Sequence, residues 1–398
     1  MKIVEPTEEQ IQALVNPYIQ NQGDGLGFAI GCASPQIRNS GKIFYAGSIR
    51  NQYQEPIPLD PDTYFEIASI TKTFTATLYA YLLQSQHNHT LTVGEYAGPG
   101  KSIHIGSQFS QIALSTLANY TSGLPEDNLI ARDVPPYLPI PYSVAGMFGF
   151  LKMTRLTPKH NGEQYTYSNL AFALLAEILP CFEAPGSTFP ELITKNILKP
   201  LGMSKTMCFG NVPLDRLPLG YLYTADNFYA PTSPGWQMFD AYYGAAGLVS
   251  TPKEMMTWLL FNMGITKNQS LTPVLSLLQK PSTKVTDSDG NRLGLGWFIQ
   301  EDRNHVPTYL CKDGELDGFN SYIAFFPSAQ PGSQASEAGV FVLTNASAFI
   351  DPRGTEVVVS IANDLLMIMK GQEPPGDKSV YGRASFSRMT GAKVGSSE

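Results

Sequence analysis

Clustered lysine and arginine are missing from this sequence. The chain has 27 basic against 34 acidic side chains and a formal net charge of −7. No basic run is interleaved with aromatics, which argues against nucleic acid as the main partner, because phosphate binding needs grouped Lys and Arg. Long apolar runs are also missing. A membrane-spanning helix needs about 18 or more apolar residues, and "LAFALLAEILPCF" is broken by Glu177 and Pro180. Cysteine is sparse: Cys32, Cys181, Cys208 and Cys311 form no C-x-x-C pair, so zinc or dithiol chemistry has no support and buried free thiols are expected. The five histidines, at 87, 89, 104, 160 and 305, form no H-E-x-x-H, and no G-x-S-x-G occurs. "GPGKS" at 98–102 imitates a phosphate loop, but the glycine needed five places before Gly100 is Glu95. No metal or cofactor is implied. "MKIVEPTEEQ" lacks the apolar core of a signal peptide, which leaves a cytoplasmic protein or an already trimmed mature chain.

What is present suffices for a large core, with 43% hydrophobic residues against 15% charged. Thr7 and Gln10 form the Gln version of a capping box, and Ile11, Leu14, Val15, Tyr18 and Ile19 follow at helical spacing. "GFAIGCA" and "KIFYAGSI" read as strands. From about 70 to 210 helix signals dominate, clearest in "SNLAFALLAEIL". After about 245 strands return in "LGLGWFIQ", "TYLCKDG", "FNSYIAFFP" and "GVFVLTNAS", before a helix in "EVVVSIANDLLMIMK". The expected layout is an α/β sheet domain from residues 1–75 and 211–372, a mainly helical domain from 76–210, and a polar tail at 373–398. Sites favour the cleft between two such units.

Three elements carry chemistry. In "FEIASITKTFTATLYAYLL", Ser69 and Lys72 stand one helical turn apart at the head of a run built for burial. Desolvation and a nearby cation would make such a lysine lose its proton and let it deprotonate the serine. Alone the pattern is weak, since Ser250 and Lys253 repeat it. In "YTYSNLAF", Tyr167 is a phenol able to relay protons if cations lower its pKa, and the Asn169 amide can bind a substrate carbonyl or steady a lysine. In "CKDGELDGFNSYIAFFP", Lys312 supplies a second cation, and Gly314 lets a substrate backbone approach a strand edge.

In this order the elements resemble the serine β-lactamase and penicillin-binding protein superfamily, known by S-x-x-K, Y-x-N and K-T-G. "LANYTSGLP", "ILKPLGMSKT", "GAAGLVSTPKEMMTWL" and "LGLGWF" extend the resemblance to the class C β-lactamase branch, over roughly residues 8–370. "EYAGPGKSI" and its spacing to "YTSGLP" look closest to the D-alanyl-D-alanine carboxypeptidase/endopeptidases of class C type. The resemblance implies a β-lactamase/transpeptidase-like fold, α/β plus all-α, with an antiparallel sheet flanked by helices and a helical second domain. It implies a serine hydrolase working through an acyl-enzyme on D-Ala-type peptidoglycan peptides or β-lactams, in the periplasm or secreted as a mature chain. Ser69 would be the nucleophile, Lys72 its proton acceptor, and Tyr167 would share acid and base duty. Asn169 would hold the substrate amide, and Lys312 would line the cleft. The N–H groups of Ser69 and Glu315 would form the oxyanion hole. Ser250 would be a helix cap.

The chain departs from that pattern at Asp313, where Thr is usual, and at Glu315, where small residues are usual; Asp317 comes two places later. Strand alternation puts the three on one face. If that face meets the cleft, an acidic wall would repel carboxylate-bearing substrates and favour amine-bearing ones. Within the same fold a class C-like β-lactamase, an esterase or D-amino acid amidase, and a non-catalytic sensor are the alternatives.

Overall fold

The computed structural model describes residues 2–19, 25–84, 91–98, 100–127, 143–153, 161–183, 186–223, 229–231, 240–301, 307–328, 330–348, 350 and 355–374. The expected tail beyond 374, the prolines of 135–141 and His87, His89, His160 and His305 lie outside them. Among the described residues no helix is long and apolar enough to cross a membrane.

The first helix, α1 (Glu8–Ile19), starts with the expected reciprocal cap: Thr7 N–H donates to Gln10 Oε1 (2.9 Å) and Gln10 N–H to Thr7 Oγ1 (3.2 Å). Seven strands form one antiparallel sheet: β1 (Gly27–Ala33), β2 (Gly41–Gly47), β3 (Arg292–Leu293), β4 (Phe298–Glu301), β5 (Pro307–Leu316), β6 (Phe319–Phe325) and β7 (Gly339–Thr344). Their order is β3-β4-β5-β6-β7-β1-β2, so a strand from near the start of the chain pairs with β7 from near its end, Phe28 opposite Thr344. All of β1 is buried. It is covered on both faces and reads as a continuous apolar run instead of an alternating one.

The β5–β6 hairpin packs against the turn that carries Ser69. Leu316 faces Phe319, which leaves Asp317 and Gly318 as a two-residue turn with Gly318 at φ 94°. Asp-Gly suits such turns because glycine accepts positive φ at little cost. Lys312 and Gly314 share one face of the sheet with Ile323 and Ser321; Asp313 and Glu315 share the other with Tyr322 and Asn320. The second face is covered by the helix α5 (Val357–Met369), and Asn320 Nδ2 donates to Glu356 at its start (3.2 Å).

The helix α2 (Thr71–Leu83) is buried nearly all round. Its threonines are tolerated because each hydroxyl is used: Thr73 and Thr77 donate to Ile70 O and Thr73 O (2.7 Å each), Thr75 donates to Gly244 O (2.6 Å), and Thr71 Oγ1 accepts from Leu248 N–H (3.2 Å). Phe74 stacks on Trp258 at 3.7 Å between centroids.

Two expectations need correction. Ser250 is not a cap. It ends the short strand Leu248–Ser250, with its hydroxyl 2.8 Å from Thr206 Oγ1. The next residue, Thr251, has the extended backbone of a cap and accepts from Glu254 N–H (3.3 Å). The cysteines are free thiols, but only Cys32, Cys208 and Cys311 are buried; Cys181 is exposed.

Candidate active site

Ser69 sits in a short 3-10 turn, Ala68–Ile70, immediately before α2. Ala68 is held at φ 45°, a region that L-residues avoid. Strain of this kind clusters at functional sites, where surrounding packing enforces it. Ser69 itself is 6% exposed.

Lys72, one turn further, is fully buried and makes three polar contacts. Its Nζ lies 2.8 Å from Ser69 Oγ, 2.6 Å from Asn169 Oδ1 and 2.9 Å from Ala245 O. Burial holds its pKa well below the ordinary lysine value, and the charge of Lys312 lowers it further. The carbonyl of Ala245 comes from a one-turn helix, α4 (Tyr243–Ala246), lying against α3 (Asn169–Ile178). That approach requires Gly244: a Cβ there would fall 2.3 Å from Ala176 Cβ.

Tyr167 precedes the start of α3, where the Ser168 hydroxyl accepts from Ala171 N–H (2.9 Å) and donates to Pro125 O (2.5 Å). This anchoring brings the Tyr167 hydroxyl to Ser69, donating to Oγ at 2.7 Å. Both lysines flank the ring, Lys72 Nζ at 4.9 Å and Lys312 Nζ at 5.4 Å from its centroid. The expected lowering of the phenol pKa is not found. Burial, with the charge of Asp313, pushes Tyr167 well above the ordinary tyrosine value, so it is a neutral donor.

Strand β5 closes the other side. A Cβ on Gly314 would meet Ile67 O at 2.5 Å and Ser69 N at 3.0 Å, so only glycine lets the strand lie this close to the serine. Pairing of β4 with β5 ends at Phe298 opposite Cys311. Among the described residues, the β5 edge from Lys312 onward therefore has no strand beside it on that side. The expected acidic wall is not built. Glu315 lies on the sheet face away from Gly314, with Oε1 accepting from Ala348 N–H (2.6 Å), and Asp317 lies beyond the strand, exposed. Asp313 is buried, its Oδ1 2.7 Å from Lys312 Nζ, which also donates to Asp313 O (2.9 Å). The reason is the same alternation: the face holding Asp313 and Glu315 is the one that α5 covers.

Of the eight residues singled out from sequence, Lys72, Tyr167 and Gly314 lie against Ser69, Asn169 contacts Lys72, Lys312 flanks Tyr167, Asp313 pairs with Lys312, and the Glu315 side chain is turned away. Asn169 takes the second of its two readings, steadying a lysine: its Oδ1 accepts from Lys72 and its Nδ2 donates to Asp127 Oδ1 (3.2 Å). Sequence reasoning missed Asp127, Glu126 and Tyr120. Tyr120, at φ 63°, stacks on Tyr167 (5.6 Å) and donates to Gly296 O (3.0 Å). Its presence in "LANYTSGLP" was the available signal, as was the adjacent acidic pair of "LPEDN".

Comparisons with known proteins point to one family. The family described as Beta-lactamase matches residues 29–362. The D-alanyl-D-alanine-carboxypeptidase/endopeptidase AmpH of Escherichia coli (strain K12) is 28% identical over 323 residues, which cover 79% of this chain and 78% of AmpH. A beta-lactamase of Pseudomonas fluorescens is 25% identical over 370 residues, 84% of this chain and 92% of that protein. Among solved structures, the beta-lactamase/D-alanine carboxypeptidase from Pseudomonas syringae superposes with a TM-score of 0.68 at 20% identity, covering 92% of this chain and 98% of that one.

Proposed function

The chain belongs to the Beta-lactamase family, and from that premise we propose that it is a serine hydrolase working through an acyl-enzyme on Ser69. The reading rests on one observation above others: Ser69 Oγ stands between Lys72 Nζ at 2.8 Å and the Tyr167 hydroxyl at 2.7 Å. A neutral Lys72 donates its two hydrogens to Asn169 Oδ1 and Ala245 O and keeps its lone pair for the serine proton. Ser69 Oγ bonds to the substrate carbonyl carbon, and its proton passes to Lys72. The N–H groups of Ser69 and Glu315 take the developing oxyanion. The carbonyl–leaving-group bond then breaks, and the leaving group receives the proton through Tyr167. Water attacks the acyl-enzyme by the reverse relay and frees Ser69.

The substrate class follows AmpH, D-Ala-type peptides, with β-lactams as acylating analogues and a periplasmic or secreted location. One observation favours a second reading. Lys312, the cation on the open strand edge, is paired with Asp313, which weakens any attraction for a substrate carboxylate. That favours esters or amides without a carboxylate. Intact mass of the protein mixed with a penicillin, followed over time beside Ser69→Ala, tests both. A lasting adduct on the wild type alone supports the peptidase, and fast penicillin loss with little adduct supports a β-lactamase. Labelling by a neutral ester probe only supports the second reading. No Ser69-dependent adduct from any probe overturns the proposal.

A further inference from the structure

We propose that Asp127 is a positioning residue for Lys72, acting through Asn169. An Asn amide can present either its oxygen or its nitrogen to a neighbour. Lys72 needs the oxygen. Asp127 accepts from the Nδ2 end (3.2 Å) and can accept only there, so its carboxylate selects the orientation in which Oδ1 meets Lys72 at 2.6 Å. Tyr242, the buried residue just before α4, supplies Asp127 with a second hydrogen bond. The backbone builds this juxtaposition. Thr166 N–H donates to Tyr120 O (2.8 Å) and Leu170 N–H to Glu126 O (3.0 Å), tying the loop that carries Asp127 to the start of α3. A row of polar groups therefore runs Tyr242, Asp127, Asn169, Lys72, Ser69, Tyr167.

Asp127 also acts by charge. The charged groups facing Lys72 are Lys312 and Asp313 from β5 and Glu126 and Asp127 from this loop; Tyr167 faces it as a neutral phenol. The carboxylates favour the ammonium form and Lys312 opposes it. Glu126, pushed up to about 7 by burial and by Asp127, is the neighbour whose own titration must be separated.

The inference deepens the acyl-enzyme reading, and its test has one arm that does not depend on that reading. In the full chain, the Lys72 titration is followed by NMR of 13Cε-labelled lysine for wild type, Asp127→Asn, Glu126→Gln and Asn169→Ala. Asp127→Asn should lower the Lys72 midpoint by about one pH unit, because a neighbouring negative charge is removed. An unmoved midpoint overturns the proposal whether or not the protein is a hydrolase. In the second arm, labelling of Ser69 by a fluorophosphonate should slow about 100-fold in Asp127→Asn, the size of loss that follows misplacement of a catalytic group. Its acid limb should move to lower pH. In an Asn169→Ala background Asp127→Asn should cost little more, whereas Glu126→Gln should remain additive. Full additivity of Asp127→Asn with Asn169→Ala, or slower labelling with an unmoved acid limb, would assign Asp127 to packing alone and overturn the proposal.

Discussion

Lys312 Nζ lies 2.7 Å from Asp313 Oδ1, and both side chains are buried. Neighbours on a strand ordinarily point to opposite faces; this pair sits where, among the described residues, β4 no longer pairs with β5, beyond Cys311.

Breaking that pair should change what the cleft accepts. Asp313→Asn frees the Lys312 ammonium, and Ser69 acylation by carboxylate-bearing penicillins should rise at least several-fold relative to a neutral ester. Stability should fall by roughly 3–5 kcal/mol, the cost of orphaning one member of a buried pair. The ratio of the two acylation rates and a denaturant melt check both parts.

Tyr167→Phe keeps the ring on Tyr120 and removes only the hydroxyl beside Ser69. Acylation should drop by about 10²–10⁴, the usual share of a positioned proton donor, with little change in melting temperature. Single-turnover labelling beside a thermal melt decides this. A stable variant that labels at the wild-type rate would remove Tyr167 from the relay.

Gly314→Ala would set a methyl 2.5 Å from Ile67 O and 3.0 Å from Ser69 N, both backbone atoms that cannot swing aside. The strand must retreat from Ser69. The expected result is loss of nearly all Ser69 labelling for a stability cost of about 1–3 kcal/mol, typical of overpacking.

Glu356 is pushed up to about 8 by burial and by the charges of Glu315 and Asp313, and Glu126 to about 7. Between their unfolded value near 4.5 and these values the folded chain holds more protons than the unfolded one. Stability contributed by these groups is full below about pH 4.5 and is lost as pH rises through 7 to 8. Melting temperature should therefore fall over that window, and Glu356→Gln should flatten the fall.

Sequence by itself determined the local structure. The Thr7–Gln10 cap and the Ser168 cap of α3 depend on contacts within a few residues, and the strands at 27–33 and 319–325 were legible as short apolar runs although their pairing is long-range. It also carried Ser69 and Lys72, because helical spacing alone puts them on one face. Tertiary structure decided the rest. No spacing relates Asp127 to Asn169, 42 positions apart, or Ala245 to Lys72, 173 apart. Strand alternation grouped Asp313 with Glu315 correctly but could not say which face α5 would cover. The Tyr167 pKa shows the same limit: two lysines stand over the ring as expected, yet burial, which exists only in the packed chain, sets its direction.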